Sequence, residues 1–217
     1  MFFARRALFF CASAASRLDF GGVRAGPGKV FEVLGPSHRI MRRALIAPRD
    51  ALPFLKLCKI AAEIREELKK EISQIKKEKN QVPGLTVILI GDYAPSQIYV
   101  KNKEKSAREV GINSKVVRYS KEVTEKEVLK KIADLNNDTD VSGILVQLPL
   151  PPQINKEKII NAVSPKKDVD GFHPNNVGNL SSGYHALVPC TPLGCLYLIK
   201  KVEKNLSGKH AVIIGRS

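Results

Sequence analysis

"GLTVILIGDYAPSQIYVKNKEKSAREVGI", residues 84–112, joins an apolar run to a polar segment with helical spacing. The apolar run is rich in β-branched residues and lies between glycines, which is typical of a buried strand. In the polar segment we expect Ser96 to cap a helix and Gly111 to end it. The stretch therefore predicts one strand followed directly by one helix.

The same alternation of strands and helices continues along the chain. Apolar residues recur every three or four positions between Ile60 and Ile75, which predicts a helix before the first strand. Thr124 and Glu127 have the spacing of a helix capping box. Further strands are predicted at 114–120, 141–152 and 210–215, and further helices at 124–135, 159–163 and from Thr191 with Pro192, with an irregular stretch at 164–189. This alternation indicates an α/β fold, a parallel-sheet three-layer domain with helices on both faces.

Ligands bind such sheets beyond the carboxyl ends of the strands, so the segments that leave the strands form the candidate site. Tyr99 and Lys103 follow the first strand, and their i, i+4 spacing places both on one helix face. Gln147 lies in an otherwise apolar strand end. The polar loop "KKDVDGFHPNNVG" carries the candidates Asp168, Asp170 and His173. We expect these three groups of residues to converge on one pocket.

Each candidate also has an ordinary structural interpretation. A tyrosine and a lysine at helical spacing are common on exposed surfaces, and Gln147 could be a buried amide bonded to backbone. The acids of the loop could form an Asx turn or a helix cap, and His173 could be a polar surface residue. Short-chain dehydrogenases also carry Tyr and Lys at this spacing, but no glycine-rich turn precedes Tyr99 here. The convergence of the three groups favours the functional interpretation.

Composition narrows the classes of function. The 217 residues carry a formal net charge of +15. No apolar run approaches the roughly 18 residues of a membrane span, and aromatic residues do not interleave with the basic ones as in a groove for single-stranded nucleic acid. We expect no nucleic-acid partner and no bound metal. The cysteines lack a CxxC or disulfide pattern, so we expect reduced thiols at Cys11, Cys58, Cys190 and Cys195.

The first 55 residues differ from the rest. The opening "MFFARRALFFCASAASRL" contains arginine and serine and almost no acids, which is typical of an organelle transit peptide. We expect a mitochondrial location, with a cytoplasmic one as the alternative. A secretory signal is a weaker interpretation because the apolar stretch is short. A disordered extension without any address is a further alternative.

From about Ile60 to Ser217 the sequence resembles the bifunctional methylenetetrahydrofolate dehydrogenase/methenyltetrahydrofolate cyclohydrolases. The matching segments, in the order and spacing of that family, are "GDYAPSQIYVKNKEKSAREVGI", "GILVQLPLP", "INAVSPKKDVDGFHPNNVGNL", "PCTPLGCLYLI" and "GKHAVIIGRS". The resemblance implies oxidation of 5,10-methylenetetrahydrofolate with NADP or NAD, then hydrolysis of the methenyl product to 10-formyltetrahydrofolate. It places the chain in one-carbon metabolism and purine biosynthesis.

The resemblance also implies a role for each matching residue. Lys103 would be the general acid/base of the hydrolysis, Tyr99 would stack on the folate, and Gln147 would bond to Lys103 or the substrate. Asp170 would bind the pterin ring. The other substrate-binding residues implied are Val100, Lys101, Asn102, Val146 and Leu148, and the start of the cofactor site is Gly215, Arg216 and Ser217.

A domain organisation follows from the same resemblance. Residues 1–55 would be the extension, residues 56–190 the folate-binding catalytic domain, and residues 191–217 a linking helix and only the first strand of a Rossmann-like NAD(P)-binding domain. We expect a polyglutamylated folate substrate, a homodimer when full length, and no dinucleotide-dependent oxidation by this chain alone. Two alternatives stay open, a truncated non-catalytic fragment that keeps the folate-side surface and, on net charge, a basic nucleic-acid-binding module.

Overall fold

A computed structural model describes residues 51–210 and residue 212. Side chains are described from Lys59 onward, apart from that of Val202. The helices are α1 (Ala51–Lys79), α2 (Ala94–Glu109), α3 (Glu125–Asn137), α4 (Lys156–Ala162), α5 (Pro174–Ser181) and α6 (Cys190–Val202), and the strands are β1 (Gly84–Ile90), β2 (Asn113–Tyr119) and β3 (Gly143–Val146).

The three strands form one parallel sheet in the order β2-β1-β3. Val87 of β1 lies opposite Val116 of β2 on one side and Leu145 of β3 on the other. Every residue of β1 is buried, as expected for the central strand of a sheet covered on both faces. The predicted α/β fold with a parallel sheet is confirmed.

Two apolar clusters cover the two faces of the sheet. The first combines α1 and α2 with alternate residues of β1, among them Ile64, Leu68 and Val87. The second combines α3 and α4 with the opposite residues of the sheet, among them Ile132 and Ile88. Helices therefore form a layer on each side of the sheet, as the sequence pattern predicts.

Several helix ends differ from the prediction. Helix α2 begins at Ala94 with Tyr93 as its N-cap residue, so Ser96 does not cap it. Ser96 lies in the first turn, where its side chain is buried and its hydroxyl donates to Leu148 O at 3.4 Å. Helix α6 begins at Cys190, one residue before the predicted Thr191. The capping box of α3 is confirmed, because Thr124 and Glu127 each accept a hydrogen bond from the other's backbone N–H.

The stretch at 164–189 is not wholly irregular, since it contains α5. Pro174 occupies the first turn of this helix, and the His173 Nδ1 atom accepts a hydrogen bond from Asn175 N at 3.1 Å. A proline at the first helical position is a recognised start signal that the interpretation as a loop overlooked. Strand β3 is shorter than predicted because it ends at Val146, before the prolines.

Several expectations lie outside the described residues. One is the transit-like extension, of which only the start of α1 is described. The other is the predicted strand at 210–215, of which only His210 and Val212 are described, without strand structure. Within the described residues, Cys190 and Cys195 form no disulfide. No helix in the described part of the chain is long and apolar enough to cross a membrane.

The loop between α4 and α5 packs closely against the segment before α6 at Gly171. This glycine has a φ of +68°, and a Cβ atom added to it would lie 2.7 Å from Leu187 O and 2.7 Å from Pro189 N. A side chain at this position would meet backbone atoms that cannot move independently. The site loop and the segment before α6 can therefore approach only because residue 171 is glycine.

We expect Gly171→Ala to lower the free energy of unfolding by about 2–4 kcal/mol, the sum of a left-handed backbone and a steric clash. Gly178→Ala is the matched control, because Gly178 lies in α5 with nothing within 4 Å of its added Cβ. That control should be neutral or slightly stabilising, since alanine favours helix more than glycine does. Urea denaturation of both variants measures the difference, and equal effects would contradict the argument.

Candidate functional site

The side chains of Lys103 and Gln147 meet at the carboxyl edge of the sheet. Lys103 Nζ donates to Gln147 Oε1 at 3.3 Å, and both side chains are half-buried. Lys103 comes from α2, which follows β1, whereas Gln147 directly follows β3. Because β1 and β3 are parallel neighbours, their carboxyl ends lie side by side and bring these two residues together.

Gln147 is held in place by its backbone as well as its side chain. Its N–H donates to Ile88 O at 2.9 Å, which continues the pairing of β3 with β1 for one more residue. Its Nε2 donates to Leu148 O at 2.8 Å. With Nε2 occupied in this way, the amide oxygen is directed toward Lys103 as an acceptor.

Asp170 is the acidic member of the site. Burial raises the pKa of its carboxyl above the ordinary value; the positive charge of Lys103 lowers this pKa, and the Asp168 carboxylate raises it further. Burial is the largest of these effects, and it disfavours the ionised form of a carboxyl. A carboxyl whose ionised form is destabilised by burial, and which lies near a lysine, is typical of a binding or catalytic site.

Cys190 is a site residue that the sequence interpretation did not identify. Its Sγ donates to Asp170 Oδ1 at 3.9 Å. Burial, and then the Asp170 carboxylate, raise the pKa of this thiol to about 11. Cys190 is therefore protonated near neutral pH, and it serves as a weak donor rather than a nucleophile. No sequence pattern around "PCTP" indicated this contact.

Asp168 and His173 have structural roles in the same loop. Asp168 is buried, and its Oδ2 accepts from His173 N at 2.8 Å. His173 is buried as well and caps α5 through its side chain. The residue that caps α5 is therefore His173 and not an acid of the loop, and His173 is not a surface residue. Asp170 remains as the acid of this loop that faces the site.

An apolar cleft open to solvent lies next to Asp170. Val146 and Leu148 line it, as do residues of α4, and Phe172 forms part of its wall with 45% of its surface exposed. An aromatic ring at a half-open mouth can contact a flat ligand while one side stays in water. The cleft therefore provides an apolar surface beside the polar groups.

The remaining predicted residues occupy one turn of α2. Tyr99 and Asn102 are half-buried, and Lys101 is exposed. Val100 has no exposed surface and belongs to the core between α2 and the sheet. Its side chain cannot reach a ligand, so any contribution of Val100 to binding would come from its backbone.

The structure thus brings together Lys103, Gln147 and Asp170, with Val146 and Leu148 in the adjoining cleft. Their chemical roles stay predictions. The predicted cofactor contacts Gly215, Arg216 and Ser217 lie outside the described residues.

Comparison with known proteins identifies relatives of this domain. Residues 55–170 match the family described as tetrahydrofolate dehydrogenase/cyclohydrolase, catalytic domain. The bifunctional protein FolD of Pelagibacter ubique is 65% identical over 159 residues, which cover 73% of this chain and 57% of that relative. The chain thus spans somewhat more than half the length of the curated relatives it matches.

Solved structures show the same similarity. The bifunctional FolD enzyme of Campylobacter jejuni has 49% sequence identity and a TM-score of 0.70, over 73% of this chain and 56% of that one. The Trypanosoma brucei enzyme, described as a complex with NADP cofactor and inhibitor, has 33% identity and a TM-score of 0.70, over 73% and 55% of the two chains. With more than half of its residues matched by the family, this chain belongs to the tetrahydrofolate dehydrogenase/cyclohydrolase family through its catalytic domain.

Proposed function

We propose that this chain supplies the folate-binding catalytic domain of a methylenetetrahydrofolate dehydrogenase/methenyltetrahydrofolate cyclohydrolase. The contact between Lys103 and Gln147 at 3.3 Å, with Asp170 close enough for its pKa to respond to Lys103, carries the proposal. These are the polar groups that hydrolysis and pterin binding require, and they lie in a member of this family. The 10-formyl product would serve one-carbon metabolism, including purine biosynthesis.

Lys103 is the proposed general acid/base of the hydrolysis. Water adds to the methenyl carbon and loses a proton, and the ring C–N bond then breaks to leave the formyl group on one nitrogen. Lys103 would accept the proton from water and return it to the leaving nitrogen. Gln147 orients the lysine by accepting its hydrogen bond.

Asp170 is the proposed anchor of the pterin ring. A carboxylate accepts two parallel N–H groups, and the pterin presents such a pair on its pyrimidine side. Burial disfavours the ionised carboxyl in the absence of ligand. Two N–H donors would offset that cost, so a pterin would be bound in preference to ligands without such donors.

The other groups complete the folate site. Tyr99 is proposed to stack on the folate, and Val146 and Leu148 would contact its apolar parts. The net charge of +15 favours a substrate that carries a polyglutamate chain. A homodimer of a longer form is also part of this proposal, and it rests on the family resemblance.

The dehydrogenase step requires a dinucleotide as hydride acceptor, and we propose NADP or NAD. The Trypanosoma brucei relative is described as bound to NADP, and a yeast structure with the same fold is described as NAD-dependent. The described residues supply the folate side of this reaction. Lys103, Gln147 and Asp170 would bind and orient the methylene-bearing ring, which is the contribution that the geometry supports.

The role of Lys103 is tested by Lys103→Met in a chimera that joins residues 56–215 to the part of the Pelagibacter relative that this chain does not cover. Hydrolysis of 5,10-methenyltetrahydrofolate, followed by its absorbance, should fall at least about 100-fold, because general acid/base groups contribute factors of 10² to 10⁴. Lys103→Arg should fail as well, since arginine does not release its proton near neutral pH.

Lys105→Met is the control for this measurement. Lys105 is exposed on the same helix and pairs only loosely with Glu109, at 3.8 Å. The control should keep the parent rate. Parent-like hydrolysis by Lys103→Met would show that Lys103 has no role in the reaction.

Asp170→Asn should stabilise the fold while weakening folate binding. The folded-state pKa of Asp170 is raised, so the native protein loses stability as pH rises from the unfolded-state pKa to the folded-state pKa. Asparagine removes that loss. Thermal unfolding at pH 7.5 should show a higher midpoint for the variant, and the gain should shrink as pH falls to about 4, the ordinary range of an aspartate. A lower midpoint at pH 7.5 would contradict the assignment of Asp170 as a destabilised carboxyl.

We further propose a mitochondrial location, which the arginine-bearing, acid-poor opening supports. Residues 1–55 fused to a fluorescent reporter should direct it to mitochondria. Replacing Arg5 and Arg6 by glutamate should abolish this targeting, because transit peptides depend on positive charge. A diffuse cytosolic signal from the unaltered fusion would disprove the proposal.

A further inference from the structure

Asn176 is a buried side chain of α5 that the proposed reaction does not use. It is 6% exposed, and its amide bonds to two segments of the chain, one at 165–168 and one at Leu187. Its Nδ2 donates to Pro165 O at 2.9 Å and to Asp168 Oδ2 at 2.9 Å, and its Oδ1 accepts from Leu187 N at 3.4 Å. Both amide hydrogens and the amide oxygen are thus directed at backbone or at a carboxylate.

The first of these segments leads directly to the site. Asp168 precedes Asp170 by two residues, and it forms an isolated parallel bridge with Ile144 of β3. Lys167 O accepts from Ile144 N at 2.7 Å, so the chain is fixed to the sheet immediately before Asp168. Because Asp168 Oδ2 also accepts from Asn176, this end of the loop has little freedom.

The second segment lies next to Gly171 and leads to Cys190. Leu187 and Pro189 contact the backbone at Gly171, and Cys190 follows with its thiol on Asp170. The hydrogen bond from Leu187 N to Asn176 ties this segment to α5. Asn176 therefore contacts both stretches of chain that border Asp170.

We propose that Asn176 is a positioning residue that holds Asp170 at the site by joining the Asp168 turn to the segment at Leu187. Asparagine suits this task because one small side chain supplies two donors and one acceptor. Removing it leaves the buried Asp168 carboxylate with one fewer donor and the Leu187 N–H without its acceptor. The expected effect on folate binding rests on the function proposed above, whereas the effect on Asp170 itself does not.

The stability of four proteins tests, without any ligand, whether Asn176 acts on Asp170. The 217-residue chain, Asp170→Asn, Asn176→Ala and the double variant are unfolded in urea at pH 7.5. In the parent, Asp170→Asn should raise the midpoint. In the Asn176→Ala background this gain should fall by at least half, because the released loop lets the carboxylate reach water. Equal gains in the two backgrounds would overturn the inference.

Binding of 5,10-methenyltetrahydrofolate to the same four proteins, measured by calorimetry, tests the consequence for folate. Asn176→Ala should weaken binding about tenfold in the parent and by less than twofold in the Asp170→Asn background. Equal factors in both backgrounds would mean that Asn176 acts on the fold at large and not through Asp170. If the parent does not bind this folate while the stability gains are coupled, the proposed function fails and the positioning role stands.

Asn175→Ala is the matched control. Asn175 is the preceding residue and is exposed, and its bond to His173 uses only its backbone N–H, which alanine keeps. It should leave both the stability gain and the folate affinity unchanged. If Asn176→Ala does not fold, Asn176→Ser replaces it in both measurements, since serine keeps one donor and one acceptor at smaller size.

Discussion

The complete burial of β1 between two parallel neighbours is the constraint on which the rest of the structure depends. A strand buried along its whole length must bond its backbone on both edges and cover both faces with apolar side chains. Both requirements are met by β2 and β3 at the edges and by two layers of helices at the faces. Parallel pairing then places every strand exit at one edge, which is where Lys103 and Gln147 meet.

Much of this arrangement could be predicted because it follows from local pattern. The apolar run of β1, the period of α1 and the capping box at Thr124 each reflect forces that act within one element. Their alternation limits the sheet to a parallel one. The meeting of Lys103 with Gln147 was predictable from the same topology. Lys103 follows β1, Gln147 follows β3, and these two strands are parallel neighbours.

The features that escaped prediction depend on contacts between distant segments. Ser96 has the chemistry of a helix cap, yet its hydroxyl bonds to Leu148 O and the helix begins before it. Cys190 contacts Asp170 only because Gly171 admits the segment before α6. Val100 matches a family motif but points into the core. Tertiary packing decides such cases, and one sequence carries no local signal of it.

The site is distributed over segments that follow β1, β3 and α4 and over the start of α6, and this has a consequence for biosynthesis. During translation α1, β1 and β2 leave the ribosome first, and β1 can pair on one edge while its other edge still awaits β3. Lys103 is then already present on α2, whereas Gln147 follows with β3, Asp170 later still, and Cys190 only when α6 begins. A nascent chain therefore acquires an organised sheet before it acquires a pocket, and ligand cannot assist the early steps of its folding.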